Sequence, residues 1–360
     1  MTPVDAVQSA LHQHNADRST PGDPPGTLAE LLSRHAPAAV ALSGAGQTAW
    51  NGQIVEAGDG ILGLAHWDGT LHLDRECILD PLHDLYARAG RPRPQAVLAG
   101  YRDALVTLLH EQSHFLGPQG ATQEAARLAF REPGSRALEE GVAEAWSHSH
   151  LNAYLHSLGI PEVAPGIDRI TTQPSYQAFL PATVLLTSHL DHRAALPPGR
   201  TLHLLNRQTA EGQWPLVTDL VYRSSELPHR VPPAQEPEVR HHLESFLRTA
   251  FHSLDPLQRL PHGLAAHRSR TLMRATLSTL EQELTRLTQA FPPHATVHQK
   301  PRAQASATGP AKAPARWTDP RSSPPVALRP GPTPARRQRL VEAPSRPLTR
   351  DPDDGLELSR

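Results

Sequence analysis

Leu109-His110-Glu111-Gln112-Ser113-His114 is the stretch on which the fold turns, read together with Leu138-Glu139-Glu140-Gly141-Val142-Ala143-Glu144 downstream. The first run is an HExxH motif. On a helix, His110 and His114 stand one turn apart on the same face, so two imidazoles can reach one metal ion. Glu111 sits beside them, placed to handle a proton of water. A catalytic zinc site takes three protein ligands and leaves a position open, and the ion lowers the pKa of water there to about 7. Two histidines and a carboxylate are a common ligand set, and a further carboxylate outside it must carry the proton to the leaving group. Glu111 suits that task. The third ligand should come from another helix, where Glu139, Glu140 and Glu144 lie close together.

These residues resemble the gluzincin group of zinc metallopeptidases, the thermolysin-like and aminopeptidase-like enzymes of the zincin clan, over about residues 55–160. In that group a downstream helix supplies a Glu, often just before a Gly. The resemblance implies Glu140, followed by Gly141, as third ligand to Zn²⁺, Glu111 as the catalytic base, and peptide-bond hydrolysis as the reaction. Glu144, one turn on from Glu140, is placed to accept the free ring N–H of His110 or His114. Glu139 projects from a different part of the helix. The clan further implies that a Tyr or His from a helical subdomain donates to the oxyanion of the tetrahedral intermediate. Tyr176, Tyr154 and His189 are candidates, with Tyr222 and His192 beside them. Two other classes fit the same residues: a non-catalytic zincin-like interaction or scaffold protein, and a secreted effector or toxin of the same fold. Two His and a carboxylate also suit an open Fe(II) site, but a Glu inside the HExxH run favours hydrolysis.

The flanks support helices at both runs. Pro92 and Pro94 mark a start and Gly117-Pro118 a stop, the asymmetry usual at helix ends. Val97, Leu98, Tyr101, Leu105, Leu108, Phe115 and Leu116 form one apolar stripe, and at about 100° per residue the two histidines fall off its centre. The stripe is expected on the core and the histidines towards a cleft. Pro133-Gly134-Ser135 breaks the chain before the second run, with Ser135 predicted as N-cap of a helix that continues to about Leu158 and ends at Gly159. His148 extends the Glu140–Glu144 face by another turn, within reach of the site, although a polar-face histidine in a chain with 22 His is expected to be solvated.

Composition bounds the remainder. The 360 residues carry a net charge of −1, so no global attraction to nucleic acid or to an anionic membrane follows. Cys77 is the single cysteine, which leaves no intramolecular disulfide and no thiolate cluster. Residues 1–16 read as a short amphipathic helix rather than a signal peptide, and no run approaches the apolar length that spans a bilayer. A cytoplasmic protein is expected, with specialised secretion left open.

Residues 19–26 form a Pro/Gly linker, and Thr27 caps a helix predicted to Ala36. From 47 to 78, turn signals at Asn51-Gly52, Asp59-Gly60 and Asp68-Gly69 separate short β segments, including Ile61, Leu62 and Leu64 paired with Leu71 and Leu73. The resemblance implies a sheet whose edge strand can pair with an extended peptide. Short helices are predicted at 81–90 and 121–130. Helical periodicity returns at 176–192, 201–222, 237–254 and 264–291. Residues 292–360, rich in Pro and Arg, are expected to be disordered, with Pro330–Arg339 a possible ligand for an acidic or SH3-like partner.

The predicted fold is therefore α+β and mainly helical. N-terminal helices and a linker occupy 1–46, and a zincin-like catalytic core occupies 47–160, with its small antiparallel sheet, HExxH helix and following Glu-bearing helix. A helical subdomain closes the cleft over 161–291, and a tail occupies 292–360. Peptide or protein is the expected substrate.

Overall fold

The computed structural model describes residues 24–58 and 60–291. The helix expected at 1–16, Asp59 and the Pro/Arg-rich segment from 292 lie outside the described residues. The fold is mostly helical α+β, with two small sheets ahead of and around the HExxH helix.

Helix α1 spans Leu28–Ser43, with Thr27 Oγ1 accepting from the Glu30 N–H at 3.2 Å, and it ends at Gly44 in the left-handed region (φ 65°). It runs through Pro37, past the stop predicted at Ala36. A proline removes one helical hydrogen bond, and burial of Ala36, Ala39 and Ser43 along one face offsets that loss.

Strand β1 (Gln47–Thr48) pairs antiparallel with β5 (Leu116–Gly117), immediately after the HExxH helix. Strands β2 (Ile54–Glu56), β3 (Gly63–Ala65) and β4 (Leu71–Leu73) form a sheet in the order β2-β4-β3. The β3–β4 hairpin is antiparallel as expected, but β2 runs parallel to β4, so this sheet is mixed rather than antiparallel. Leu71 and Leu73 are fully buried, which gives the most apolar strand the central place. Ile61 and Leu62 precede β3 instead of belonging to it, although the Leu62 carbonyl accepts from the Asp74 N–H.

A π-type turn at Arg75–Leu79 leads into α2 (Asp80–Ala87), and α3 (Gln95–His114) carries the HExxH motif. After α4 (Gln123–Phe130), α5 (Ser135–Ser157) carries the glutamates. Its N-cap is Gly134 (φ 76°), not Ser135. A Cβ at 134 would stand 2.4 Å from the Arg248 carbonyl, and Ser135 Oγ instead accepts from Arg248 Nη1 at 2.7 Å. A short helix α6 (Ile160–Val163) follows. Helix α7 (Leu180–Arg193) begins later than predicted, because residues 174–179 stay irregular beside the glutamates of α5. The single helix predicted over 201–222 is two, α8 (Arg200–Leu205) and α9 (Ala210–Arg223), with Asn206–Thr209 between them. Helices α10 (Glu236–His252) and α11 (His262–Ala290) complete the order.

Helix α5 is the hub. It touches α1, α3, α4 and α6 to α10, and residues 137–147 are buried without interruption. The end of α3 is similar, with residues 104–113 all buried. Both β3 and α5 pack on α3, and His110 is buried there while His114 keeps 14% of its side chain exposed. No helix among the described residues is long and apolar enough to cross a membrane.

Candidate metal centre

Two helices buried on every side would ordinarily be apolar on every side. Here the meeting of α3 and α5 encloses His110, Glu111, Glu139, Glu140 and Glu144, each no more than 6% exposed, with His114 beside them. Burying charge costs several kcal/mol per ion unless each is paired, on the order established for protein interiors. What pairs them is the question the geometry answers.

The inner layer is a triangle. His110 Nε2 and His114 Nε2 are 3.3 Å apart, and Glu140 Oε2 lies 3.4 Å from the first and 3.6 Å from the second. Three donors of a tetrahedral ion with bonds of about 2.0–2.1 Å stand about 3.3–3.4 Å from one another. The observed edges fit that figure closely. Glu140 Oε2 is buried and has no hydrogen-bond partner among the described residues, so the converging lone pairs face one another around a place for a cation. The His110–His114–Glu140 cluster can hold a metal ion.

The outer layer orients the rings. His110 Nδ1 lies 2.9 Å from Glu144 Oε2, and His114 Nδ1 lies 3.1 Å from Glu139 Oε1. The His114 contact is a hydrogen bond, an arrangement that fixes a tautomer and raises ligand basicity, whereas His110 Nδ1 lies at ion-pair distance from Glu144 without hydrogen-bond geometry. Glu144 is held in turn by the backbone N–H groups of Ser175 (2.5 Å) and Tyr176 (3.4 Å), and His148 Nε2 stands 3.4 Å from its Oε1. His148 is therefore not merely solvated.

The sequence places Glu139 elsewhere on α5, yet it meets His114. A signal was present: two imidazoles with Nε2 inward leave two Nδ1 groups in need of acceptors, and three clustered glutamates supply one ligand and two acceptors.

Charge coupling matches this layout. Burial lowers the His110 pKa, but Glu140 and Glu144 outweigh burial and hold it up at about 9. His114 is raised in the same way, with Glu139 and Glu140 overcoming burial. Burial raises Glu140, yet the two histidines bring it down to about 2. Glu144 is also lowered, by His110 and His148 against the effect of burial.

Glu111 faces the other way, towards β3. Its Oε2 accepts from the Ala65 N–H at 2.9 Å. Burial raises its pKa, opposed by the positive charge of His110 and His114. The next residue, Gln112, donates from Nε2 to Thr48 Oγ1 at 2.7 Å and ties α3 to β1. Gly141 has a packing role, since a Cβ there would come 2.1 Å from Thr183 Oγ1 of α7.

Among the candidates for oxyanion donor, the Tyr176 ring stacks on His110, with centroids 5.4 Å apart and planes 13° from parallel. Tyr154 is fully buried in the core near Tyr86. His189 lies 3.0 Å from Glu281 of α11, and the Tyr222 ring sits under the Arg240 guanidinium. His192 is in the last turn of α7.

The HExxH helix, the following Glu-bearing helix and the converging donors match a gluzincin-type HExxH-plus-Glu arrangement. Comparison with protein-family profiles, curated proteins and solved structures finds no match for the chain. The gluzincin-type assignment therefore rests on the centre itself, on residues drawn from β3, α3, α5 and the 174–179 segment.

Proposed function

We propose that the chain is a zinc-dependent metallopeptidase in which His110, His114 and Glu140 hold Zn²⁺ and Glu111 is the general base. The observation that carries the reading is the near-equilateral triangle of Nε2, Nε2 and Oε2 atoms around an unpartnered carboxylate oxygen. When bound, zinc supplies a Lewis acid that polarises a carbonyl and acidifies water near neutral pH.

The chain's own groups do the rest. Glu111, next to His110 in sequence but outside the triangle, takes the proton of the attacking water and passes it to the leaving amine. Its raised pKa suits a group that must both accept and give up a proton. Glu144 and Glu139 keep the imidazoles turned inward. Tyr176, stacked on His110, is the donor we assign to the developing oxyanion. A peptide or protein substrate follows from this reaction class.

Metal analysis of the dialysed protein beside Glu140→Ala tests the reading. One zinc per chain, lost in the variant, is the expected result. Zinc in neither would end the proposal. Glu111→Gln then separates chemistry from binding: zinc should stay while hydrolysis of a peptide library falls by about 10²–10⁴-fold, the range for a general acid–base group.

A further inference from the structure

The backbone of β3 makes a seat for Glu111. Hydrogen bonds from His66 N–H to Thr70 O and from Asp74 N–H to Leu62 O join the residues flanking β3 and β4, and with Leu64 opposite His72 they set the even-numbered positions to face β4. The N–H of Ala65 therefore points to the free edge of the sheet, where β3 is the outermost strand. It donates there to Glu111 Oε2 at 2.9 Å. Two residues earlier the strand holds Gly63, with no positive φ among its requirements. What Gly63 provides is space. A Cβ at this position would stand 2.6 Å from Glu111 Cγ, 2.8 Å from Oε1 and 3.0 Å from Cδ. The carboxylate therefore occupies the volume of the missing side chain, and one of its oxygens is fixed by the amide two residues on.

Glycine inside a strand weakens it and marks the close approach of another group. Here that group is the proposed base. The hairpin that carries the seat is itself braced. Asp68 Oδ1 accepts from the N–H and the hydroxyl of Thr70, and Thr70 Oγ1 is 3.0 Å from His72 Nε2. At the hairpin tip the Trp67 ring packs edge-on against Phe130, with centroids 5.4 Å apart. Both ends of the three-residue strand are held, and the hairpin tip is anchored on α4.

We infer that Gly63 and the Ala65 amide are positioning elements for Glu111: the free edge of β3 sets where the base's carboxylate stands, and only a residue without a Cβ at 63 allows it. The inference rests on the proposed role of Glu111, and it concerns neither metal ligand nor the ion. Metal binding and catalytic geometry should therefore separate.

The test uses the full chain loaded with zinc, in wild type, Gly63→Ala and Ala65→Pro. The second variant removes the donor N–H and sets a ring carbon against the Glu111 carboxylate in place of that hydrogen bond, and it serves if alanine at 63 prevents folding. Hydrolysis of a fluorescence-quenched peptide library gives kcat and KM. Acetohydroxamate binding to the cobalt-loaded protein, read by visible absorption, reports on the same carboxylate without turnover, because a hydroxamate gives up its proton to the neighbouring base. We expect each variant to keep one metal per chain. In each, kcat should fall at least tenfold with KM within twofold, and acetohydroxamate should bind several-fold more weakly. In the Glu111→Gln background, Gly63→Ala should bring no further change in acetohydroxamate affinity. Wild-type kcat and acetohydroxamate affinity in both variants would overturn the inference, and so would loss of metal in parallel with kcat, which would show a general distortion of α3. If wild type cleaves nothing, the peptidase reading fails by itself, while the acetohydroxamate comparison still decides whether β3 positions Glu111.

Discussion

Two helix pairs in this molecule set histidine against glutamate with the same spacing and different outcomes. On α3, His110 and His114 are four residues apart and face Glu140 of α5. On α7, His189 and Arg193 are four residues apart and face Glu281 of α11. In the second pair the guanidinium of Arg193 reaches both oxygens of Glu281 and also donates from Nε to Ser224 Oγ. That cluster contains its own cation. In the first pair the corresponding position is a second imidazole, and Glu140 Oε2 stays without a hydrogen-bond partner. A histidine-and-glutamate cluster calls for an added ion only where no permanent cation is built in.

The comparison is broken most directly at its two carboxylates. Glu140→Ala removes one corner of the triangle, and the expected outcome is loss of metal on mild dialysis, read by elemental analysis. Glu281→Ala in the same assay should leave metal content unchanged. Metal lost in both, or retained in both, would mean that the two clusters do not differ as argued.

Protons give the next effect. Without metal, Glu140 and Glu144 outweigh burial and hold the His110 pKa up at about 9, and Glu139 and Glu140 raise that of His114 against burial. Zinc takes the neutral ring, so binding must expel the protons the rings carry. Affinity should then rise with pH and level off above about 9, as linkage requires. Calorimetry in buffers of different ionisation enthalpy counts the protons.

The metal-free fold should respond in the opposite sense. The His110 contribution to stability is complete below pH 6.5 and is lost as pH rises through about 9. The Glu140 contribution is complete above pH 4.5 and is lost as pH falls through about 2. Chemical unfolding of the metal-free chain should thus show greatest stability between about pH 4.5 and 6.5, by the same linkage. A metal-free chain that gains stability from pH 6.5 to 9 would contradict the ion-paired centre.

Smaller effects belong to the outer carboxylates. Substituting such partners typically costs about 10–100-fold in metal affinity. Glu144→Ala should lie towards the upper end, since Glu144 also holds the amides of Ser175 and Tyr176. Glu139→Ala, which removes an acceptor from His114 alone, should lie towards the lower end. Competition with a chelator of known affinity ranks them, and a reversed order would show that the 174–179 segment is not supported through Glu144.

Sequence legibility followed periodicity. The HExxH helix, its ends and the Glu140 helix were readable because a four-residue spacing places two rings on one face whatever surrounds them. The depth of burial was not readable: the stripe from Val97 to Leu116 places the histidines towards a cleft, but the packing of β3 and α5 on α3 is set by residues distant in sequence. Glu139 was missed for a related reason, because its meeting with His114 depends on how α3 and α5 cross. The parallel pairing of β2 and β4 was equally hidden, since three-residue strands carry too few alternations to set their neighbours. Gly63 had no local signal at all, its reason lying in a side chain forty-eight residues away.

The smallest predicted effect is the stability cost of Glu281→Ala. Glu281 is 45% exposed, and its attraction for Arg193 is screened by water. Exposed ion pairs contribute about 0–1 kcal/mol. Removal of the carboxylate does not strand the guanidinium, which keeps Ser224 Oγ at 3.1 Å and the Ser224 carbonyl at 3.4 Å. His189 has its pKa lowered chiefly by burial, so it is neutral near pH 7 and leaves no orphaned charge either. The metal-free variant should therefore unfold within about 3 °C of wild type, the shift that about 1 kcal/mol brings in a chain of this size. A fall of 10 °C would mean that the α7–α11 pair is effectively buried in solution. The contrast with Glu140 would then have to rest on the missing cation alone and not on exposure.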